Sequence, residues 1–174
     1  ISQDRLEDCI NSDLANNFGN LCQRVTSFAI KNCNGKIPSK VKFEKDDLKI
    51  LDKFKTNLDL IRAKIDEQDI NFYVDFIINS LFETNKYFND QEPWNMKKDI
   101  VRLNTIVYTT FEIVRKISFM LYPIIPDSSL KALKIFNIKE DEIRFSTLDD
   151  HKYLKENIDI NKIDILFKKI EKND

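Results

Sequence analysis

The chain has 174 residues, a formal charge of −1, and 42% hydrophobic beside 33% charged residues. That balance excludes a disordered or membrane-embedded chain, and a chain of this length buries roughly 70% of its unfolded surface, enough for a core without staples. Only two glycines and four prolines occur, so the composition predicts long helices joined by a handful of loops.

From Gln3 to Cys33, Leu6, Ile10, Leu14, Phe18, Leu21, Val25 and Phe28 recur at steps of three and four, which predicts a long first helix. Asn34-Gly35 tolerates a left-handed backbone and Pro38 discourages resumption of helix, so a short basic loop over Lys36 to Glu44 follows. Leu48, Leu51, Phe54, Leu58, Ile61 and Ile65 predict a second helix over Asp46 to Asp66 with a solvated charged face. A third, Ile70 to Phe88, carries a wide apolar arc through Val74, Ile77, Leu81 and Phe88, the pattern of a central helix.

Pro93 suits the first turn of a new helix after Asn89-Asp90-Gln91-Glu92, where the chain changes direction. Ile100, Leu103, Val107, Phe111, Val114, Ile117 and Leu121 predict a fourth helix over Asp99 to Leu121, ended by Pro123 and Pro126. Asp127 or Ser128 then caps a shorter fifth helix holding Leu130, Leu133 and Phe136. The pattern decays over Phe145 to Asp159 before a last amphipathic piece, Asn161 to Glu171. The expected architecture is all-α: one bundle of about five main helices over residues 1–144, with a tail over 145–174 that packs outside the bundle yet belongs to the same domain.

Catalytic machinery is hard to find. The single histidine, His151, sits in the weakly patterned tail and reads as an exposed loop residue. No serine or cysteine has a base partner, no glycine-rich phosphate cradle exists, and the acidic pairs fall on charged helix faces. Cys9, Cys22 and Cys33 form no Cys-x-x-Cys pair, so they read as reduced, partly buried thiols and no metal site is expected. No charged-then-apolar leader opens the chain and no apolar run reaches the eighteen or so residues that cross a bilayer, so the expected location is cytoplasmic, away from membranes.

Two places carry binding chemistry. Asn20 and Arg24, four residues apart, share one flank of the first helix, extended by Asn16, Ser27 and Lys31; such groups read base edges and hold phosphates, or simply form a solvated flank. Trp94, the only tryptophan, either offers an unpaired base a π-face or covers the core in a cluster with Tyr87 and Phe88. Lys86, Lys97, Lys98 and Arg102 around it form a candidate phosphate fringe. Residues 24 to 45 hold Arg24, Lys31, Lys36, Lys40, Lys42 and Lys45 against Glu44 alone, so any attraction for phosphate is local.

Ordered short words run along nearly the whole chain: Asn11-Ser12-Asp13-Leu14-Ala15-Asn16-Asn17, Gly19-Asn20-Leu21 and Arg24, then Gly35-Lys36-Ile37-Pro38. Asn85-Lys86-Tyr87-Phe88, Glu92-Pro93-Trp94 and Lys97-Lys98 follow, then Leu121-Tyr122-Pro123-Ile124-Ile125-Pro126, and Ile165-Leu166-Phe167-Lys168-Lys169-Ile170-Glu171. In this order they resemble the C-terminal anticodon-binding domain of bacterial methionyl-tRNA synthetases, class I aminoacyl-tRNA synthetases. The tryptophan after Glu-Pro separates that family from its valyl, isoleucyl, leucyl and cysteinyl relatives.

The resemblance implies a helical bundle that binds the CAU anticodon loop of methionine tRNA. Trp94 matches the family's tryptophan that stacks on the first anticodon base, Pro93 the proline that sets its approach, and Asn20 and Arg24 the helix positions that contact bases. Lys31, Lys97 and Lys98 are the candidate phosphate contacts. The family's HIGH and KMSKS signatures, its ATP and methionine pockets and its zinc-bearing insert are absent, so the chain reads as a fragment, inactive alone, carrying no cofactor, partnered by its own catalytic domain in the full-length enzyme, and monomeric. The rival expectation is a non-catalytic helical protein-interaction module that has lost RNA binding.

Overall fold

The apolar stripe of the first helix does what its spacing predicts. In the computed structural model, which describes residues 3–161, α1 spans Gln3–Asn32 and buries Leu14, Phe18, Leu21, Cys22 and Val25. It stops where Asn34 and Gly35 take φ of 56° and 66°, the left-handed conformation that Gly adopts without a Cβ penalty. The piece from Asn161 to Glu171 lies, beyond its first residue, outside the described residues.

Helices α2 (Lys45–Asp66), α3 (Ile70–Gln91), α4 (Ile100–Leu121) and α5 (Pro126–Leu133) follow. Asp69 caps α3 by accepting from the Phe72 amide at 3.1 Å, and Asp99 caps α4 by accepting from that of Arg102 at 3.1 Å, satisfying amides that have no partner within the helix. The fifth helix departs from expectation: Pro126 opens it, with Ile125 at the cap position and no side-chain cap, because proline lacks only a hydrogen that the first turn leaves unpaired. Among the described residues no strand forms, only an isolated antiparallel bridge between Lys36 and Asp159.

The central helix is α4, not α3. Every residue from Thr105 to Leu121 is buried, and α4 packs on α1, α2, α3 and α5. By contrast α3 leaves Ile70, Ile78 and Phe82 exposed. The polar residues of α4 hid its position. Thr105, Thr110 and Ser118 donate to the carbonyls of Val101, Ile106 and Val114 at 2.6–2.8 Å, so their hydroxyls are satisfied within the helix and can be buried.

The charged residues of α4 are buried too, and they hold the tail. Glu112, Arg115 and Lys116 are each 0% exposed. Arg115 donates to Glu112 Oε1 at 2.9 Å and to the Asp150 carbonyl at 2.7 Å, and Lys116 donates to the carbonyls of Leu148 and Asp150 at 2.6 and 2.9 Å. Glu112 Oε2 accepts from the Leu154 amide at 2.8 Å. The described part of the tail therefore does not pack outside the bundle: Leu148, Leu154 and Ile160 join the one hydrophobic core. Residues 158–160 return to the basic loop, where the amides of Ile37 and Ile160 donate to Ile158 and Gly35 carbonyls at 2.8 and 2.9 Å.

His151 is not the exposed loop histidine that the sequence suggests. Its Nε2 lies 3.0 Å from Asp52 Oδ1, its side chain is 15% exposed, and burial, together with nearby Lys116, pushes its pKa down. The described thiols are free, with Cys22 and Cys33 buried and Cys9 exposed. Burial pushes the first two pKa values up, that of Cys33 to about 11.

Burial, then Arg115, pulls the Lys116 pKa down to about 7. A lysine whose folded pKa lies below its unfolded one takes up fewer protons when folded, so between the two values stability rises with pH; below the folded pKa the cost of charging is present in full. Replacing Lys116 by Met is expected to flatten that rise, with the difference between the chains changing by on the order of 1–2 kcal/mol between about pH 7.5 and 9. Urea unfolding at a series of pH values measures it, and parallel curves for the two chains would refute it.

Candidate nucleic-acid interface

Two helices and one turn build the candidate site. α1 supplies Asn20 and Arg24 on one flank, α3 supplies Asn85, Phe88 and Asn89 at its C-terminal end, and a single 3-10 turn, Pro93–Asn95, supplies Trp94. Glu92 breaks α3 by taking φ of 48°, and the buried Pro93 starts the turn. The Asn95 amide closes it on the Glu92 carbonyl at 2.9 Å.

The structure brings Arg24 and Trp94 together. The guanidinium of Arg24 lies 4.8 Å from the centre of the Phe88 ring and 5.9 Å from that of Trp94, and it donates to Asn89 Oδ1. Phe88 and Trp94 are 6.1 Å apart at 59°, and Phe28 meets the other side of Phe88 edge-on at 5.6 Å. Trp94 is 39% exposed whereas Phe88 is 1% exposed, so the tryptophan closes the core with one part of its surface and leaves the rest open. Each ring–guanidinium contact is worth about 0.5–1 kcal/mol when exposed, which orients Arg24 more than it stabilises the fold.

Asn20 sits one turn before Arg24 and is exposed. It lines a groove of about 500 Å³ between α1 and α3 together with Asn17, Asn85 and the exposed Phe82. Lys31, in the last turn of α1, and Lys97 and Lys98, in the turn leading to α4, are exposed.

Two members of the expected surface are corrected. Arg102 is no part of a phosphate fringe: it is 8% exposed and binds both carboxylate oxygens of Asp47, at 2.7 and 3.0 Å. Tyr87 is no part of the aromatic cluster, for its hydroxyl donates to Asp47 on the other side of α3. Lys86 stays on the surface, paired with the equally exposed Asp90 at 2.6 Å. The charged face of α2 is likewise not wholly solvated, since Asp47 is 0% exposed.

Sequence reasoning missed Asn85 and Asn89. Their separation of four residues on α3 repeats that of Asn16 and Asn20 on α1, so the signal was present. What it lacked was a reason to pair the two helices. No group of three or more His, Cys, Asp or Glu residues placed to hold a metal occurs among the described residues, and none of their helices is long and apolar enough to cross a membrane.

The family described as the anticodon binding domain of methionyl tRNA ligase matches residues 37–174. The chain belongs to that family. It is 37% identical over 146 residues to the methionine–tRNA ligase of Brucella suis, covering 83% of this chain and 28% of that protein. With the methionine–tRNA ligase of Thermotoga maritima it shares 33% identity over 175 residues, covering 99% and 28%. Among solved structures, apo methionyl-tRNA synthetase of Mycobacterium tuberculosis superposes with a TM-score of 0.83 at 29% identity, over 97% of this chain and 35% of that one. The same enzyme in complex with methionyl-adenylate superposes equally, with a TM-score of 0.83 over 96% and 33%. The anticodon-binding domain described here thus spans about 28% of the length of those curated relatives.

Proposed function

We propose that this domain reads the CAU anticodon loop of methionine tRNA, so that a catalytic domain elsewhere in the full-length ligase attaches methionine with ATP. The loop unstacks, its first base lies on the open face of Trp94, and Asn20 and Arg24 hydrogen-bond the edges of neighbouring bases. Pro93 fixes the approach of the tryptophan, and Lys31, Lys97 and Lys98 hold the backbone. The domain alone performs no catalysis and binds no cofactor; it acts as a monomer in the cytoplasm.

The observation that carries this reading is the placement of Arg24. A guanidinium already held by Asn89 and flanked by two rings stands beside a tryptophan that is 39% exposed, so hydrogen-bond donors and a stacking surface are arranged before any ligand arrives, which lowers the ordering cost of binding.

Because Trp94 is the only tryptophan, titration with a CAU anticodon stem-loop at low salt reads the site directly through its fluorescence. Quenching by CAU, with little by a loop altered at the first anticodon base, is the expected result. Equal quenching by both, or none, contradicts stacking at Trp94.

Lys97 and Lys98 are expected to behave differently. Replacing either by Ala weakens all RNAs alike and flattens the log–log salt dependence by about 0.7 for each single-strand phosphate that the lysine no longer neutralises. Affinity measured over a salt series checks this, and a loss confined to CAU would overturn it.

A second reading, a module that binds a partner protein, is favoured by the apolar side chains that α3 leaves in solvent, Phe82 at 70% and Ile70 at 65% exposed. Binding of tRNA that falls steeply with salt supports the first reading, whereas salt-insensitive protein binding without RNA binding supports the second.

A further inference from the structure

At the base of the loop that carries Trp94 lies a polar cluster centred on a buried carboxylate, Asp47. Asp47, in the first turn of α2, is 0% exposed and accepts four hydrogen bonds: two from Arg102, one from the Tyr87 hydroxyl and one from the Glu44 amide at 2.8 Å. Arg102 also donates to Gln91 Oε1 at 2.7 Å and lies 3.4 Å from the exposed Glu44 carboxylate. Gln91 in turn donates from Nε2 to Asp46 at 3.2 Å.

The positions of these residues matter more than their number. Gln91 is the last residue of α3 and Arg102 lies in the first turn of α4, so the bond between them spans the base of the loop that carries Trp94. Asp47 adds α2 as a third wall. A bidentate guanidinium–carboxylate pair is directional in a way that apolar packing is not, and a buried ion pair often adds little net stability over an apolar replacement. A cluster of this kind is therefore suited to fixing geometry.

We infer that Asp47, Arg102 and Gln91 are positioning residues that hold Trp94 at the height and tilt at which a base stacks. This rests on the stacking reading of Trp94, but its first test does not need RNA. The device works by clamping both ends of the Glu92–Asp99 segment: the Arg102–Gln91 bond adds a side-chain link across its base to the burial of Pro93, the Phe88–Trp94 contact and the turn's own backbone bonds.

The test uses the free chain and its single tryptophan. Gln91→Leu cuts the clamp at a half-buried helix end and is expected to leave the melting temperature nearly unchanged while red-shifting Trp94 emission and raising its quenching by acrylamide. Affinity for the CAU stem-loop should fall roughly two- to tenfold, the effect of removing one hydrogen bond. Gln91→Glu keeps the acceptor for Arg102, giving up the 3.2 Å bond to the exposed Asp46, and should restore most of the wild-type emission and quenching. Asp47→Asn, which leaves Arg102 with only the exposed Glu44 as anion, should shift Trp94 further. Ser129→Ala removes the buried 2.6 Å bond to the Ser118 carbonyl elsewhere in the bundle and serves as the control for general loosening.

Unchanged emission and quenching in Gln91→Leu would overturn the inference, as would an equal change in Ser129→Ala. If the wild type fails to distinguish CAU from the altered loop, the stacking reading falls; the emission and quenching results then still decide whether the clamp sets Trp94.

Discussion

Replacing Glu112 by Ala is expected to cost about 3–5 kcal/mol of folding stability, the penalty for removing one partner of a buried ion pair. The carboxylate is the only anion among the three fully buried charged residues of α4, and it has two duties. One oxygen accepts from Arg115 at 2.9 Å and the other from the Leu154 amide at 2.8 Å. Without it Arg115 and Lys116 lose their one buried counter-charge, keeping only the more distant carboxylates of Asp149 and Asp150, and a buried amide of the tail is left unpaired. Against a typical domain stability of 5–15 kcal/mol the loss is large. Urea unfolding measures it. A loss below about 1 kcal/mol would mean that water reaches the cluster and solvates both cations.

Replacing Trp94 by Ala is expected to weaken binding of the CAU stem-loop roughly 5- to 150-fold, equivalent to about 1–3 kcal/mol for one base–aromatic stack. The change should fall on affinity and not on the fold. Trp94 is 39% exposed and meets the core at Phe88, and the turn that carries it is built by Glu92 and Pro93. Arg24 would be left with one of its two rings, Phe88, and with Asn89. Electrophoretic or filter-binding titration measures the affinity and circular dichroism the fold. Unchanged affinity in a folded variant would sink the stacking role.

The order of the five helices and the bounds of α1, α2 and α4 to within a residue or two were legible because each is written in local terms, whereas α3 runs three residues past its expected end and α5 starts and stops earlier than expected. The apolar stripe of α1, the Asp69 and Asp99 caps, and the breaks at Asn34-Gly35 and Glu92-Pro93 all act within a few residues of where they stand in the chain. Arg24 and Trp94 were legible for another reason: an arginine flanking an apolar stripe and a lone tryptophan at a proline turn are chemically conspicuous before any fold is known. Their words in sequence also carried the family to which the chain belongs.

The rank of the helices was not legible. α3 has the wider purely apolar arc, yet α4 lies at the centre, because hydroxyls bonded to their own helix, and charges paired along it and bonded to tail backbone, make polar residues compatible with burial. The fate of Arg102 was hidden in the same way. As a basic residue beside an aromatic turn it resembled a phosphate ligand, but its partner Asp47 stands 55 residues earlier, and nothing near either residue marks the other.

By itself the sequence determined which segments are helical and which side chains carry hydrogen-bonding and stacking chemistry, since those properties follow from backbone preference and side-chain chemistry at short range. Only the tertiary structure decided that α4 is the core, that the described part of the tail is clamped onto it by Glu112, Arg115 and Lys116, and that Arg102 is buried against Asp47. Whether a charge faces water or a partner depends on which distant segment folds against it, and periodicity along the chain carries no record of that pairing.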